Sequence, residues 1–176
     1  MEFPERDTRS MAAKPLARPP IHTIGHGGLE RVVFLSLLAR QGVNMVIDVR
    51  SAPTSRYMPH FSRELLEPSL GLWGVCYVYM GRELGGWPTG TPIEAAVSFV
   101  RGIERIMQYW RQAWRLTLLC AEEDPRRCCR AGRIAPELLA RGARVIHIRG
   151  DGRLEPHTPA WNDFALACPL HDRDCQ

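Results

Sequence analysis

The sequence predicts an α/β fold, a three-layer sandwich with a mainly parallel sheet of about five strands. Short apolar runs rich in β-branched residues alternate along the chain with longer segments whose apolar residues recur at helical spacing. This alternation is typical of a parallel sheet that is covered by helices on both faces. With 176 residues, of which 45% are hydrophobic, the chain is long enough to bury one substantial core.

The first third of the chain contains two predicted strands and a helix between them. Residues 21–24 form a β-branched run, and a glycine-rich turn at residues 25–28 separates it from a helical pattern over residues 29–41. Residues 44–49 are almost continuously apolar, as expected for a strand that is buried on both faces. The backbone amides of such a glycine turn can approach an anion at the start of the following helix, although a simple tight turn explains the same residues.

The middle of the chain predicts a second helix and a third strand. Ser62 is a suitable N-cap for a helix over residues 63–72, and residues 75–80 form the next apolar run. The loop at residues 81–92 that follows is rich in glycine and proline and carries Trp87. We expect this loop to act as a wall or lid of a site, or to be held in place by Trp87 as a packing anchor.

The last part of the chain predicts two further helix–strand pairs. Residues 93–112 have the apolar stripe of a long amphipathic helix, and residues 115–119 form the fourth apolar strand. A helix is predicted over residues 134–141 and a fifth strand over residues 143–148. The segment after residue 148 has no period and is predicted to cover an edge or to be partly disordered.

The ends of the chain, its hydrophobic runs and its net charge indicate the domain organisation and the class of protein. We expect a flexible tail at residues 1–19 and a single domain at residues 20–176. No apolar run approaches the roughly 18 residues of a membrane span, and no signal peptide is evident, so we expect a cytoplasmic protein without a membrane partner. The net charge is +4, and almost all of the positively charged side chains are arginines. Both features are compatible with a nucleotide or nucleic-acid partner.

Four predicted loops should meet at one edge of the sheet, because parallel strands present their carboxyl ends together and ligands bind there. These loops contain most of the distinctive polar residues of the chain. They cover residues 25–28, 50–61, 81–92 and 120–130.

A thiol site is one interpretation of the last of these loops. Cys120, five residues and Arg126 follow the spacing of phosphate-transferring thiol enzymes. The three acids at residues 122–124 oppose this, because they would repel phosphate and raise the thiol pKa. A metal site that uses Cys120, Cys128, Cys129 and a histidine is also disfavoured, because the spacing matches no zinc template. A small buried thiol is the simpler explanation of Cys120.

Carboxylate chemistry is the interpretation that we favour. Asp48 and Glu122 should project from neighbouring strand ends, with His26 and Arg50 nearby. A carboxylate in a partly closed pocket can act as a general base or stabilise positive charge on a sugar, which suits cleavage of an N-glycosidic bond. The alternative is that these acids only pair with arginines as part of the scaffold.

Several motifs in order resemble a known family. They are T-I-G-H at residues 23–26, D-V-R and P-x-S-R between residues 48 and 56, L-G-G at residues 84–86, and L-L-C-A-E-x-D-P with C-C-R-x-x-x-I-A between residues 118 and 135. This set resembles the domain of unknown function 488 (DUF488) family. The resemblance implies a flavodoxin-like or Rossmann-like domain, related to enzymes of nucleic acids, with base-excising activity suggested for some members. Cys129 stands where the family usually has histidine.

The residues and the resemblance together predict a nucleotide- or DNA-directed hydrolase, most concretely an N-glycosidase that removes a modified base. Asp48 or Glu122 is the predicted catalytic carboxylate, and His26 assists proton transfer. No metal or organic cofactor is expected. The alternatives are a non-catalytic nucleotide- or nucleic-acid-binding module and a thiol-dependent enzyme that uses Cys120, with Cys128 nearby. The predicted substrate-binding residues are Gly25, Arg50, Arg56, Tyr57, Trp87 and Arg130.

Overall fold

A computed structural model describes residues 18–86 and 90–161. Most of the predicted tail, together with Trp87, lies outside these ranges. The described structure begins slightly earlier than the predicted domain boundary. The guanidinium group of Arg18 lies over the ring of Trp110, and the Trp110 indole donates a hydrogen bond of 2.8 Å to the carbonyl of Pro19.

The strands form one six-stranded sheet with the order β3-β2-β4-β1-β5-β6. The first five strands in this order are parallel, and β6 is antiparallel to β5. The predicted mainly parallel sheet is therefore confirmed, with one strand more than the sequence indicates. The strands are β1 (Ile21–Gly25), β2 (Met45–Asp48), β3 (Cys76–Tyr79), β4 (Leu116–Cys120), β5 (Val145–Ile148) and β6 (Leu154–Pro156).

Helices cover both faces of the sheet and confirm the three-layer sandwich. Leucine and phenylalanine side chains of the first two helices form one core with one face of the sheet, and the fourth and fifth helices form a second core with the other face. Each core is built from alternate residues of the strands, as the two-residue period of a strand requires. The helices are α1 (Arg31–Arg40), α2 (Arg63–Leu72), α3 (Gly81–Leu84), α4 (Pro92–Arg111) and α5 (Ala135–Ala140).

Three local expectations differ from the structure. The helix predicted over residues 134–141 is α5 preceded by a π-helix, Arg130–Ile134. Ser62 lies at the N-cap position of α2, but its hydroxyl accepts a hydrogen bond from the Ser55 amide and does not cap the helix. The strand β6 was missed because three residues at a sheet edge are too short to show a period.

The order of the strands places a topological switch point at the centre of the sheet, between β1 and β4. Strands β1 and β4 are neighbours, but the chain leaves β1 towards β2 on one side and leaves β4 towards β5 on the other. Such a switch point is where open α/β sheets bind ligands. Backbone pairing continues past the two strands, because the His26 amide donates to the Cys120 carbonyl (3.0 Å) and the Gly27 amide donates to the Ala121 carbonyl (2.8 Å).

Candidate functional site

The loops after β1 and β4 are in close contact because of Gly25. A Cβ atom at this position would lie 1.8 Å from the Glu122 carbonyl oxygen and 2.8 Å from Nη1 of Arg130. Only glycine allows the two backbones to approach this closely. Gly25, predicted to bind substrate, therefore lies under the loop that carries Glu122, and its geometry favours a structural role.

Asp48 lies at the end of β2 and is fully buried at 0% exposure. Its Oδ1 accepts hydrogen bonds from the amide of Arg50 (3.1 Å) and from Nε of Arg50 (2.9 Å). Its Oδ2 accepts from Nη2 of Arg50 and from the hydroxyl of Tyr77, both at 2.6 Å. Such a saturated carboxylate has little capacity left for a substrate, so the geometry favours a role in which Asp48 positions Arg50.

Arg50 presents a donor that the ion pair does not use. The side chain is only 4% exposed, and Nη1 is buried without a hydrogen-bond partner among the described residues. An unpaired buried donor costs free energy comparable to a lost hydrogen bond unless a ligand or a water molecule accepts from it. Arg50 thus keeps a fixed donor, Nη1, that the ion pair with Asp48 does not use, and the role of Arg50 in holding an anion stays a prediction.

His26 follows β1 and is buried against the side of the sheet that α1 and α2 cover. Its ring stacks on Phe61 with centroids 4.4 Å apart, and Nδ1 lies 3.0 Å from the Gly27 carbonyl. Because a carbonyl only accepts, Nδ1 carries the proton and Nε2 carries the free lone pair. Burial, together with the nearby charge of Arg50, lowers the pKa of His26 to about 4. His26 is therefore neutral at physiological pH and can accept a hydrogen bond through Nε2.

The carboxylates of the loop after β4 differ sharply in their contacts. Glu123 accepts from Nη2 of Arg149 (2.7 Å), from Nε of Arg149 (3.0 Å) and from the Gly150 amide (3.1 Å). The hydrogen bonds from Arg149 lower the pKa of Glu123. Asp124 accepts from the Arg126 amide at 3.0 Å. The Glu122 carboxylate is half-buried and has neither a hydrogen bond nor an ion pair within residues 18–86 and 90–161.

Arg130 lies inside the loop rather than on its surface. The guanidinium group is buried, and it donates from Nη1 to the Glu122 carbonyl and from Nη2 to the Glu123 carbonyl (2.6 Å). These carbonyls therefore point inwards at a cation, so the loop does not surround a phosphate with its amides. The geometry favours a bracing role for Arg130 over the predicted contact with phosphate.

The three cysteines of this region form a compact cluster. Cys120 and Cys128 are buried, Cys129 is partly exposed, and the Sγ atoms of Cys120 and Cys128 are 2.7 Å apart. The pKa of Cys120 is lowered by hydrogen bonds from Cys128 and Cys129 and by the charge of Arg130, whereas the pKa of Cys128 is raised. In the part of the chain that the structure describes, no group of three or more histidine, cysteine, aspartate and glutamate residues is arranged to hold a metal ion.

The remaining predicted residues lie towards the edge formed by β2 and β3. Arg56 is exposed, and Tyr57 is 82% exposed on the loop after β2. Beside this loop is a surface cavity of about 580 Å³. Its lining residues are Pro53, Arg63, Glu64, Tyr79, Arg82 and Glu83.

The sequence interpretation missed Tyr77, Tyr79, Arg63 and Arg82. Tyr77 and Tyr79 alternate with apolar residues in β3, and Arg63 lies within 6 Å of both rings, at 5.7 and 5.9 Å from their centroids. A strand that carries polar tyrosines next to the carboxyl edge was the available signal. The sequence pattern predicts only an apolar strand here, because a period does not show which face is open to a ligand.

A second polar cluster lies next to β1 on the opposite side of the sheet from His26. His147 in β5 is buried, its Nδ1 lies 2.7 Å from the Thr23 hydroxyl, and its Nε2 lies 3.0 Å from Nδ1 of His157. The ring also stacks on Trp161 at 4.8 Å. Burial and the nearby charge of Arg130 lower the pKa of His147 to about 3, so His147 is neutral near pH 7.

Comparison with known proteins gives one family. The model of DUF488, described as a domain of unknown function, matches residues 29–92. The predicted resemblance to DUF488 is confirmed for this segment. It contains the D-V-R, P-x-S-R and L-G-G motifs, whereas the motifs around residues 23–26 and 118–135 lie outside the match. Comparisons with curated proteins and with solved structures give no significant match.

The helices of the described ranges include none with the length and apolar character needed to cross a lipid bilayer.

Proposed function

We propose that the protein is a hydrolase of nucleotides or DNA, most concretely an N-glycosidase that removes a modified base. The observation that carries this proposal is the Glu122 carboxylate, which has no partner among the described residues. Asp48 and Glu123 are held by arginines, and Asp124 accepts from a backbone amide. A carboxylate that is half-buried at the carboxyl edge of a parallel sheet and not neutralised by a cation is suited to general-base or cation-stabilising chemistry.

In this proposal Glu122 activates the attacking water or stabilises the positive charge that develops on the sugar as the bond to the base breaks. Cleavage of an N-glycosidic bond produces an oxocarbenium-like sugar, and an anionic carboxylate favours that state over the neutral substrate. Water supplies the hydroxyl group of the sugar product, and the departing base receives a proton.

Arg50 and His26 supply complementary contacts in this proposal. The free Nη1 donor of Arg50 suits a phosphate or carbonyl oxygen, since a guanidinium fixed by Asp48 needs no reorganisation to bind an anion. Neutral His26 suits acceptance of a hydrogen bond from water or from a base N–H through Nε2. His26, with a pKa of about 4, stays neutral near pH 7 and has only this hydrogen-bonding role, while Glu122 is the group assigned to proton abstraction.

The cavity beside β3 supports the proposal that the ligand is a nucleic acid of more than one nucleotide. Arg63 and Arg82 line it, and Arg56 and Tyr57 lie on the loop beside it. Because β3 and β4 are two strands apart, this cavity is offset from the end of β4 by about 10 Å, a distance that one or two nucleotides can span. Arginines that bind phosphates and an exposed aromatic ring that stacks on a base are the features of a sequence-tolerant site for single-stranded nucleic acid.

The test is a panel of oligonucleotides that carry modified bases, assayed for the formation of abasic sites. The wild-type protein should release at least one class of base, and Glu122→Gln should abolish the release. The matched control is Glu104→Gln, because Glu104 lies on α4, pairs with Arg141 at 3.1 Å and has no part in the proposed site. Absence of base release from every oligonucleotide by the wild-type protein, with binding retained, would support the alternative of a non-catalytic binding module.

A further inference from the structure

Cys120 and Cys128 are a pair of buried thiols in direct contact. Cys120 ends β4, Cys128 follows the 3-10 helix Pro125–Arg127, and the two side chains belong to residues that are 6% and 3% exposed. Their Sγ atoms are 2.7 Å apart, whereas a disulfide has a length of about 2.05 Å. Bond formation therefore requires the two sulfur atoms to approach by only ~0.65 Å.

The backbone around the two thiols is held in place from both sides. The Arg130 amide donates to Sγ of Cys128 at 3.5 Å, and the Arg130 guanidinium donates to the carbonyls of Glu122 and Glu123. The Asp124 side chain accepts from the Arg126 amide and shapes the turn between the cysteines. These contacts fix the backbone on both sides of the two cysteines and so keep their sulfur atoms close together.

The two thiols also differ in the way that disulfide chemistry requires. The thiol of Cys128 donates its proton towards the sulfur of Cys120, and the positive charge of Arg130 lies near Cys120. Both effects favour the thiolate form of Cys120, which is the nucleophilic form. Cys128 retains its proton and is positioned as the second, resolving thiol.

We propose that Cys120 and Cys128 are a reversible dithiol–disulfide site that is oxidised by hydrogen peroxide or another small hydroperoxide. The Cys120 thiolate attacks a peroxide oxygen, so that an S–O bond forms, the O–O bond breaks and hydroxide leaves. The sulfur of Cys128 then attacks Cys120 sulfenic acid, an S–S bond forms, the S–O bond breaks and the second oxygen leaves as water. In total, two thiols and one hydrogen peroxide give one disulfide and two water molecules.

This site is independent of the proposed hydrolase, and its test needs no substrate. The full chain with Cys76, Cys168 and Cys175 replaced by serine retains only the thiols of the cluster. Treatment with hydrogen peroxide should remove two of its three free thiols and lower the intact mass by two hydrogen atoms. Dithiothreitol should restore both thiols, and non-reducing peptide mapping should place the link between Cys120 and Cys128.

Single cysteine variants distinguish this pair from its neighbour. Cys129→Ser is the matched control, and it should form the disulfide as the background protein does. Cys120→Ser should slow the loss of the remaining thiols by about tenfold or more, because the thiolate is removed. Cys128→Ser combined with Cys129→Ser, checked for folding by circular dichroism, should stop at a sulfenic acid of Cys120 that dimedone traps, because no neighbouring thiol remains to resolve it. Retention of all three thiols under peroxide, or a link that involves Cys129, would overturn the assignment.

Discussion

The buried ion pair at the end of β2 gives a sharp prediction of stability. Asp48→Asn removes the charge that compensates Arg50, a side chain with 4% exposure whose Nε and Nη2 both donate to this carboxylate. The hydroxyl of Tyr77 also loses its charged acceptor at 2.6 Å. Loss of one partner of a buried pair leaves an uncompensated charge and costs about 3–5 kcal/mol, so we expect a decrease of that size in the free energy of unfolding.

The assay is urea unfolding followed by circular dichroism, with two companion variants. Tyr77→Phe removes one hydrogen bond to a charged group and should cost about 1.5–3 kcal/mol. Glu67→Gln breaks the half-exposed pair of Glu67 with Arg63 at 3.0 Å and should change the free energy of unfolding by less than about 1 kcal/mol. If Asp48→Asn destabilises the protein no more than Glu67→Gln does, the account of Asp48 as the anchor of Arg50 is wrong.

Two further predictions concern the loss of stability at low pH and the close contact between the loops after β1 and β4. Burial lowers the pKa of His26 to about 4 and that of His147 to about 3, whereas an unfolded histidine titrates near pH 6.5. The stability that these neutral histidines provide is therefore complete above about pH 6.5 and is lost as the pH falls towards the folded-state pKa values. At pH 5.5 the free energy of unfolding should be lower by about 1.4 kcal/mol for each residue. Urea midpoints at pH 7.5 and 5.5 measure it, and equal midpoints would refute it. Gly25→Ala places a methyl group 1.8 Å from the Glu122 carbonyl and should cost about 1–3 kcal/mol or more, while Gly28→Ala, with no atom within 4 Å of its Cβ, should have little effect in the same thermal-melt comparison.

The fold was predictable because its signals are local. Continuous apolar runs such as residues 44–49 indicate strands that are buried on both faces, and helical periods between them require crossovers. The edge strand β6, which pairs with β5, gave no such signal, because three residues are too few to show a period. The π-helix Arg130–Ile134 was hidden for a related reason, since its irregular turn has the same apolar pattern as an α-helix start.

The location of the candidate site was predictable from the sequence, but the contacts of its individual residues were not. Asp48 ends one apolar strand and Glu122 follows another, and nothing local in the sequence separates their roles, but only Asp48 meets the hydroxyl of Tyr77, which is 29 residues away along the chain. Likewise, nothing local shows that Arg130 turns inwards to two carbonyls while Arg50 keeps a free donor. Which charged groups are neutralised depends on tertiary contacts, and therefore on strand order, which a single sequence does not encode in local patterns.

The central claim is that Glu122 acts on the reaction and not on binding. The most direct measurement compares wild-type protein and Glu122→Gln on the most reactive oligonucleotide of the panel. Single-turnover rates give the chemical step, and fluorescence anisotropy gives the dissociation constant. We predict a rate that is lower by about 10²–10⁴-fold, with binding that is unchanged or slightly tighter because a negative charge is removed. An unchanged rate, or a loss of rate that is matched by an equal loss of affinity, would contradict the claim.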